Sequence, residues 1–225
     1  MSILTLILGE SGTGKTTSLR NLDPNDTLLI QPFRKPLPFP NKGWHEALTK
    51  GDGGNIFVTP DANKICAVME RAPHHVIVID DYQFILVREY MESAEPNQFA
   101  LFKDIGKNGY TVFRKAAELA QDKRVYILAH TQSDDMGRTK IKTLGKLLDE
   151  KICLESLCTT VLRTKVNGGK YSFTTQNSGS DTVKSPLNMF AESEIDNDLA
   201  EVDRVVCAYY GITQEPTSTE KETTK

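Results

Sequence analysis

The stretch that decides the fold is Ile3–Thr16, which reads ILTLILGESGTGKT. Its first part, Ile3 to Leu8, is a short apolar run of the kind that forms a buried parallel strand. The run is followed directly by Gly9-Glu10-Ser11-Gly12-Thr13-Gly14-Lys15-Thr16, which fits the phosphate-binding P-loop pattern G-x-x-x-x-G-K-[ST]. A strand before this motif and a helix start after it are its required context. The sequence therefore predicts a phosphate-binding loop rather than a glycine-rich turn without a ligand.

The residue types in this motif match the chemistry of a bound triphosphate. Glycines allow several backbone N–H groups to converge on one point, and the following helix directs its positive end there. We expect Lys15 to contact the β- and γ-phosphates of ATP and the hydroxyl of Thr16 to coordinate Mg²⁺. All residues from Gly9 to Thr17 are predicted to bind the nucleotide.

A second apolar strand supplies the expected partner of the P-loop. Val76–Ile79 is a run of four β-favouring residues, and Asp80 at its end is predicted to hold Mg²⁺ as a Walker B carboxylate. The next residue, Asp81, is a candidate for the catalytic group that orients the attacking water. Alternatively, Asp81 caps the helix that follows the strand. Glu10 and Asp61 are lesser candidates for the catalytic base.

A third strand, Arg124–Ala129, ends at His130. Since ligands bind at the carboxyl ends of strands in α/β sheets, we expect His130 to sense the γ-phosphate, or else to be a hydrogen-bonded loop histidine. The following segment, Ser133–Thr143, is predicted to be a mobile loop without regular structure. It carries three basic residues expected to contact the backbone of single-stranded DNA with little sequence specificity: Arg138, Lys140 and Lys142.

Charge is distributed unevenly along the chain. From Arg138 to Lys170 there are eight basic and three acidic residues, whereas the whole chain has a net charge of −3. The stretch is either a solvated lysine-rich face or a nucleic-acid contact. Arg163, Lys165 and Lys184 are candidates for a finger that reaches the nucleotide of a neighbouring subunit, or are plain surface charges.

The order of the predicted elements indicates an α/β fold with a mostly parallel sheet flanked by helices. The proline-containing stretch Pro32–Trp44 is expected to form an extended surface loop or an excursion beside the nucleotide. Further strands are expected at Leu28–Gln31 and Asn55–Thr59, and a hairpin is expected to join Thr159–Val166 to Tyr171–Thr175. Helices are expected at about Thr16–Leu22, at Asp61–Arg71 with Asp61 as the N-cap, and at Asn197–Tyr210. Two amphipathic stretches are expected at Gln98–Ile105 and Tyr110–Gln121.

Composition sets the wider frame. The 225 residues are 39% hydrophobic and 25% charged, as in ordinary globular proteins, and no apolar run approaches the roughly 20 residues that cross a bilayer. We expect no signal peptide and no membrane association. The four cysteines lack CxxC spacing, which favours reduced thiols and a cytoplasmic location. The predicted organisation is one domain over residues 1–212 and a disordered tail over 213–225.

Several motifs together resemble the RecA-like, AAA-type ATPases of bacteriophages. The resemblance covers about residues 2 to 211, and its P-loop is specific only to the superfamily. It is carried by the N-terminal P-loop, Val76 to Asp81, Ala129-His130-Thr131, Tyr171-Ser172-Phe173-Thr174-Thr175, Gly179-Ser180-Asp181-Thr182, Lys184-Ser185-Pro186 and Ile195-Asp196-Asn197-Asp198-Leu199.

That resemblance implies a RecA-like core, assembly into a homo-oligomeric ring or filament, and DNA-stimulated ATP hydrolysis in phage recombination or replication. Some members of the group are related to single-strand-annealing recombinases. The resemblance also implies that Lys184 acts in trans at a subunit interface and that phage or host replication or recombination proteins are partners. The chain departs from the pattern in having no Glu next to Asp80, which argues against fast hydrolysis. The alternatives are a nucleotide-gated protein-binding module such as a helicase loader, and a nucleotide or small-molecule kinase.

Overall fold

The computed structural model describes residues 1–47, 53–94, 96–145 and 147–213. Its strands are β1 (Ile3–Leu8), β2 (Thr27–Gln31), β3 (Ile56–Val58), β4 (Val76–Ile79), β5 (Arg124–Ala129), β6 (Thr131–Ser133), β7 (Thr139–Ile141), β8 (Thr160–Asn167), β9 (Lys170–Thr174) and β10 (Glu194–Asp196). Its α-helices are α1 (Ala62–Arg71), α2 (Gln83–Glu92), α3 (Gln98–Glu118) and α4 (Leu199–Tyr210). The short elements are 3₁₀ helices at Thr16–Asn21 and Leu154–Leu157 and a π-helical turn at Leu147–Lys151.

An eight-stranded sheet organises the chain, in the order β10-β9-β8-β1-β5-β4-β2-β3. The strands from β8 to β3 run parallel to one another, and β9 and β10 add antiparallel pairs at one edge. Because β1, β4 and β5 are parallel neighbours, their carboxyl ends lie together at one edge of the sheet. The predicted α/β class with a mostly parallel sheet is confirmed.

Helices cover both faces of the sheet. Side chains alternate along β1, so that Leu4, Leu6 and Leu8 pack with α1, α2 and α3, while Ile7 packs with the first 3₁₀ helix and α4 on the opposite face. The strands buried on both faces are nearly all apolar, as expected for a central parallel sheet.

Most predicted elements occur within two residues of their expected bounds. Asp61 caps α1 by accepting hydrogen bonds from the backbone N–H groups of Asn63 and Lys64. The segment after the P-loop is a 3₁₀ helix. The hairpin between β8 and β9 turns at Gly168 and Gly169, which both have positive φ, as the predicted turn requires. β10 and the β6–β7 pair were not predicted, because each contains only three residues.

The prediction of two separate amphipathic stretches was wrong, because α3 is one helix of 21 residues. Gly106 and Gly109 interrupt the apolar pattern and lower helix propensity, which is why the sequence suggested a break. A Cβ at Gly109 would lie 2.5 Å from the hydroxyl of Tyr82 and 2.8 Å from a methyl of Leu86. The glycine therefore lets α3 pack closely against the segment that follows β4.

A buried ion pair fixes α4 to the sheet. Arg124 and Asp203 are each 4% exposed, and their side chains form two hydrogen bonds of 3.0 Å. Tyr126 also donates to Asp203, at 2.6 Å. Asp203 is therefore the common acceptor that joins the start and middle of β5 to α4.

We expect Asp203→Asn to lower the free energy of unfolding by about 3 kcal/mol, because it removes the buried carboxylate that pairs with Arg124 and leaves only the half-exposed Asp26, 3.9 Å away. Urea denaturation measures this change. Asp135→Asn, at an exposed turn position, is the control and should change stability by less than about 0.5 kcal/mol. Equal stabilities of the two variants would contradict this account of the pair.

Two further expectations concern membrane spans and the C-terminal tail. None of the helices in the described ranges is both long and apolar enough to span a bilayer. The predicted tail lies outside the described residues from position 214 onward.

Candidate functional site

The P-loop follows β1 and closes around the side chain of Lys15. Its ammonium donates hydrogen bonds of 2.8 Å to the backbone carbonyls of Gly9 and Glu10, and the residue is only 5% exposed. Burial lowers the pKa of Lys15, although the carboxylates of Asp81 and Asp80 oppose this shift. The loop thus presents one partly desolvated cation at the carboxyl end of the central strand.

Two glycines of the loop are required by close neighbours. A Cβ at Gly9 would lie 1.9 Å from the hydroxyl oxygen of Thr164 on β8. Gly14 has a φ of +92°, and a Cβ there would lie 2.9 Å from the ring of Tyr171 and 3.1 Å from Oδ1 of Asn197. The P-loop is therefore held against β8, the start of β9 and the residues that precede α4.

Thr16 and Asp80 meet although 64 positions separate them. The hydroxyl of Thr16 donates to Asp80, with its oxygen 3.0 Å from Oδ1 and 3.1 Å from Oδ2. Asp80 is 1% exposed, and burial raises the pKa of its carboxyl despite the ammonium of Lys35 nearby. A hydroxyl and a carboxylate are oxygen ligands of the kind that Mg²⁺ uses alongside phosphate oxygens, so these residues fit the predicted metal.

Asp81 adopts a backbone conformation that few residues other than glycine occupy, with a φ of 63°. Its Oδ1 lies 3.4 Å from Nε2 of His130, and its Oδ2 accepts from the ammonium of Lys35. Burial alone would raise the pKa of Asp81, but hydrogen bonds from His130 and Lys35 outweigh it and lower the pKa to about 2. The alternative role as a helix cap does not apply, since the residue before α2 is Tyr82 and no side chain caps that helix.

Sequence reasoning missed Lys35. It lies in the proline-rich segment, residues 32–40, and its ammonium is 3.1 Å from Oδ2 of Asp80 besides contacting Asp81. Both carboxylates raise the pKa of Lys35 and outweigh the opposing effect of burial. The available signal was its position just after β2, whose carboxyl end lies beside that of β4.

A cleft of about 740 Å³ contains these groups. Lys35, Asp81 and His130 line one end, and Lys15, Thr16 and Thr17 line the middle. The other end is lined by Arg20, Lys170, Tyr171, Asp196, Asn197, Asp198 and Glu201. Its volume falls within the range of about 300–1,000 Å³ that is typical of small-molecule sites.

Asn197 and Tyr171 form the wall of this second end beside Gly14. The ring of Tyr171 is 45% exposed, whereas Asn197 is 4% exposed and its Nδ2 has no hydrogen-bond partner among the described residues. Its backbone carbonyl accepts from Arg20 at 2.5 Å. The sequence placed both residues in family-like motifs and assigned neither to the site.

The predicted basic loop is a hairpin, so the expectation of irregular structure at Ser133–Thr143 was wrong. β6 pairs with β7, and the turn is held by Asp134, which accepts from the backbone N–H groups of Met136 and Arg138. Lys140 pairs with Asp149 at 2.7 Å. Within the described ranges, no carboxylate lies within salt-bridge distance of Arg138 or Lys142. These two cations are therefore the ones that remain available to a ligand.

Hydrogen bonds join the base of this hairpin to the cleft. The backbone N–H of Lys142 donates to the carbonyl of His130 at 2.8 Å. Nε2 of Gln83 donates to the carbonyls of His130 and Lys142, at 3.4 and 3.2 Å. Because Gln83 begins α2 two residues after Asp81, these hydrogen bonds connect the end of β4 to the hairpin.

The finger candidates lie apart from the cleft lining. Lys184 forms an antiparallel backbone bridge with Val161 on β8. Arg163 lies 3.8 Å from Asp181, and Lys165 lies 2.6 Å from Glu194. The structure thus gives Lys184 no contact with this chain's own P-loop cleft, and its proposed action on a neighbouring subunit stays a prediction.

Lys15, Thr16, Asp80, Asp81 and His130 converge at one edge of the sheet, as their strand-end positions predict. Lys35 completes the cluster from the proline-rich segment, which was expected to form a surface loop or an excursion beside the nucleotide and which lines the cleft with Lys35, Pro36 and Pro38. A scan against models of known protein families and a search of curated proteins each return no match to this chain.

Proposed function

We propose that this chain is a RecA-like P-loop ATPase that binds ATP with Mg²⁺ and couples the nucleotide to single-stranded DNA, as a homo-oligomer in phage recombination or replication. The observation that carries the proposal is the meeting of Lys15, Thr16 and Asp80 at the carboxyl ends of β1 and β4. A cation, a hydroxyl and a carboxylate at one point are the groups that a magnesium–triphosphate requires.

The order of the strands separates the two halves of the site, and the arginine content argues against a nucleotide kinase. β5 lies between β1, which carries the P-loop, and β4, which carries Asp80. The arrangement puts His130, at the end of β5, between the two halves of the site. A kinase lid rich in arginine is not indicated, since Arg163 is the only arginine between Arg138 and Arg204 in the sequence.

The cleft also has a polarity that orients the nucleotide. Lys35 and Asp81 line one end, and the carboxylate of Asp80 lies 3.1 Å from the ammonium of Lys35, so the terminal phosphates would bind between this end and Lys15 and the nucleoside would extend toward Tyr171. The exposed ring of Tyr171 offers a face on which a base stacks. Mg²⁺ bound by Thr16 and Asp80 would neutralise charge on the phosphates during transfer to water.

Asp81 and His130 suit the handling of the attacking water. With a pKa of about 2, the Asp81 carboxylate is ionised at neutral pH and accepts a hydrogen bond well, but it is a weak proton acceptor. It therefore orients the water rather than removing its proton. This weak base agrees with slow hydrolysis that a partner stimulates.

The β6–β7 hairpin supports DNA as that partner. It continues directly from His130 and carries Arg138 and Lys142, whose charges suit phosphate backbone contacts. Binding at the hairpin would act on His130 through the hydrogen bonds of Lys142 and Gln83. The nucleotide and DNA sites would thus be coupled over a short path.

The decisive test is steady-state ATP hydrolysis with and without single-stranded DNA. We expect DNA to raise the rate in the wild type and the double variant Arg138→Ala/Lys142→Ala to lose most of that stimulation, with weaker DNA retention at low salt. Lys64→Ala, which removes an exposed charge on α1, is the control and should keep the stimulation.

Other outcomes separate the alternatives. Absence of DNA retention and of any DNA effect on turnover would defeat the DNA proposal while leaving the ATP site intact. Capture of a replication protein in ATP but not in ADP would then indicate a nucleotide-gated module. Transfer of phosphate from ATP to a mononucleotide would indicate a kinase.

A further inference from the structure

Lys35 makes a pair of contacts that no residue of the P-loop motif provides. Its ammonium bridges Asp80, which is held by Thr16, and Asp81, which is held by His130. It also lines the same end of the cleft as Asp81 and His130. One side chain therefore contacts both the residue expected to bind Mg²⁺ and the residue expected to orient water.

At this end of the cleft, the ammonium of Lys35 and a bound divalent cation would compete for the carboxylate of Asp80. A divalent cation bound to Asp80 repels an ammonium 3.1 Å from the same carboxylate. The γ-phosphate of ATP brings negative charge to the same end, and ADP brings no such group. The ammonium of Lys35 thus has a new partner nearby only when the nucleotide is a triphosphate.

The backbone around Lys35 restricts how the side chain responds. The carbonyl of Lys35 accepts from the side chain of Gln31 at 3.3 Å, and Phe33 stacks on Phe84 of α2 with ring centroids 5.1 Å apart. Pro36 follows directly and fixes its own φ. The segment is therefore attached to β2 and α2, and the long side chain is the part free to move.

We propose that Lys35 is the residue that distinguishes ATP from ADP, by leaving Asp80 for the γ-phosphate while it keeps its contact with Asp81. This inference rests on the proposed ATP site and adds to it a specificity-determining cation from the proline-rich segment. Lys15 is expected to contact the β-phosphate, which both nucleotides carry, as well as the γ-phosphate, whereas Lys35 would contact the γ-phosphate alone. The γ-phosphate would thereby lie between two cations.

A built-in reporter accompanies this exchange. Trp44 is the single tryptophan of the chain and is 4% exposed. Phe39, in the same proline-rich segment, contacts it edge-on with centroids 6.5 Å apart. Because Phe39 lies four residues after Lys35, we expect small adjustments around the moving Lys35 side chain to reach the indole through Phe39 and to alter its fluorescence.

The test compares affinities for a non-hydrolysable ATP analogue and for ADP, both with Mg²⁺, by calorimetry. We expect the wild type to prefer the triphosphate and Lys35→Met to lower that preference about tenfold, with affinity for Mg²⁺–ADP equal or higher. Lys35→Arg keeps the charge and should retain the preference within about threefold. Lys42→Met, at an exposed lysine near the same segment, should behave as the wild type.

The fluorescence of Trp44 gives a second readout. The triphosphate analogue should change its emission more than ADP does in the wild type, and the two nucleotides should act alike in Lys35→Met. If Lys35→Met does not fold, Lys35→Gln serves in its place, because an amide still hydrogen-bonds the two carboxylates.

The outcomes distinguish this inference from the proposed function. An unchanged preference in folded Lys35→Met or Lys35→Gln, or an equal loss of affinity for both nucleotides in that variant, would overturn the role of Lys35 and leave the ATP site standing. A wild-type protein that binds neither nucleotide would overturn both.

Discussion

Lys15→Ala should lower the affinity for ATP about a hundredfold and remove most ATP hydrolysis. Hydrogen bonds from a charged group contribute roughly 1.5–3 kcal/mol each, and Lys15 is expected to contact two phosphates. No other cation of the motif replaces it, because the P-loop from Gly9 to Thr16 contains no second basic residue. Calorimetric titration with Mg²⁺–ATP and a steady-state phosphate-release assay measure the two effects.

The controls must separate lost binding from a disturbed loop. Lys15 also donates to the carbonyls of Gly9 and Glu10, so its removal affects the P-loop itself. Lys15→Met keeps the aliphatic stem and should give the same loss with a thermal midpoint closer to that of the wild type. Lys42→Ala, at an exposed lysine, should leave binding unchanged. Full ATP binding by a folded Lys15→Met protein would refute the site.

The second large effect is expected for Asp80→Asn, which keeps the shape of the side chain and removes its charge. Turnover should fall about a hundredfold, since the carboxylate proposed to hold Mg²⁺ against the phosphates is gone. ATP binding without divalent cations should be as strong as in the wild type or stronger, because one negative charge near the phosphates is removed. Calorimetry with Mg²⁺ and with a chelator tests both statements.

The dependence of ATP binding on Mg²⁺ shows whether the effect of Asp80→Asn comes from the loss of a metal ligand. Magnesium should strengthen ATP binding to the wild type and to Asp135→Asn, the exposed control, but much less to Asp80→Asn. Burial raises the pKa of Asp80, so neutralising it should also cost little stability. If magnesium strengthens binding to Asp80→Asn as much as to the wild type, another residue holds the metal.

The local parts of the site could be predicted because each is formed by consecutive residues of the chain. The P-loop needs eight consecutive residues, and the apolar runs of β1, β4 and β5 were predicted with the bounds that the structure shows. The strand-end rule then placed Asp80, Asp81 and His130 together, since polar residues directly after buried parallel strands share one edge. The cap of α1, Asp61, was also readable from local sequence.

The missed parts depend on pairings between distant segments. Lys35 precedes Asp81 by 46 positions, and an alternation of apolar residues does not reveal that β2 lies next to β4. Three-residue strands carry too little periodicity to be recognised, so the hairpin with Arg138 and Lys142 was taken for an irregular loop. The break expected in α3 reflects helix propensity, which packing around Gly109 overrides.

By itself, the sequence determined the position of the P-loop motif after β1, because its glycines and its lysine are neighbouring residues. It also determined the α/β class, because buried parallel strands must be apolar on both faces. The tertiary structure alone decided that β5 separates β1 from β4, that Tyr171 and Asn197 wall the cleft, and that Lys35 joins Asp80 to Asp81. These contacts follow from the order of strands in the sheet, which long-range packing selects and no short stretch of residues encodes.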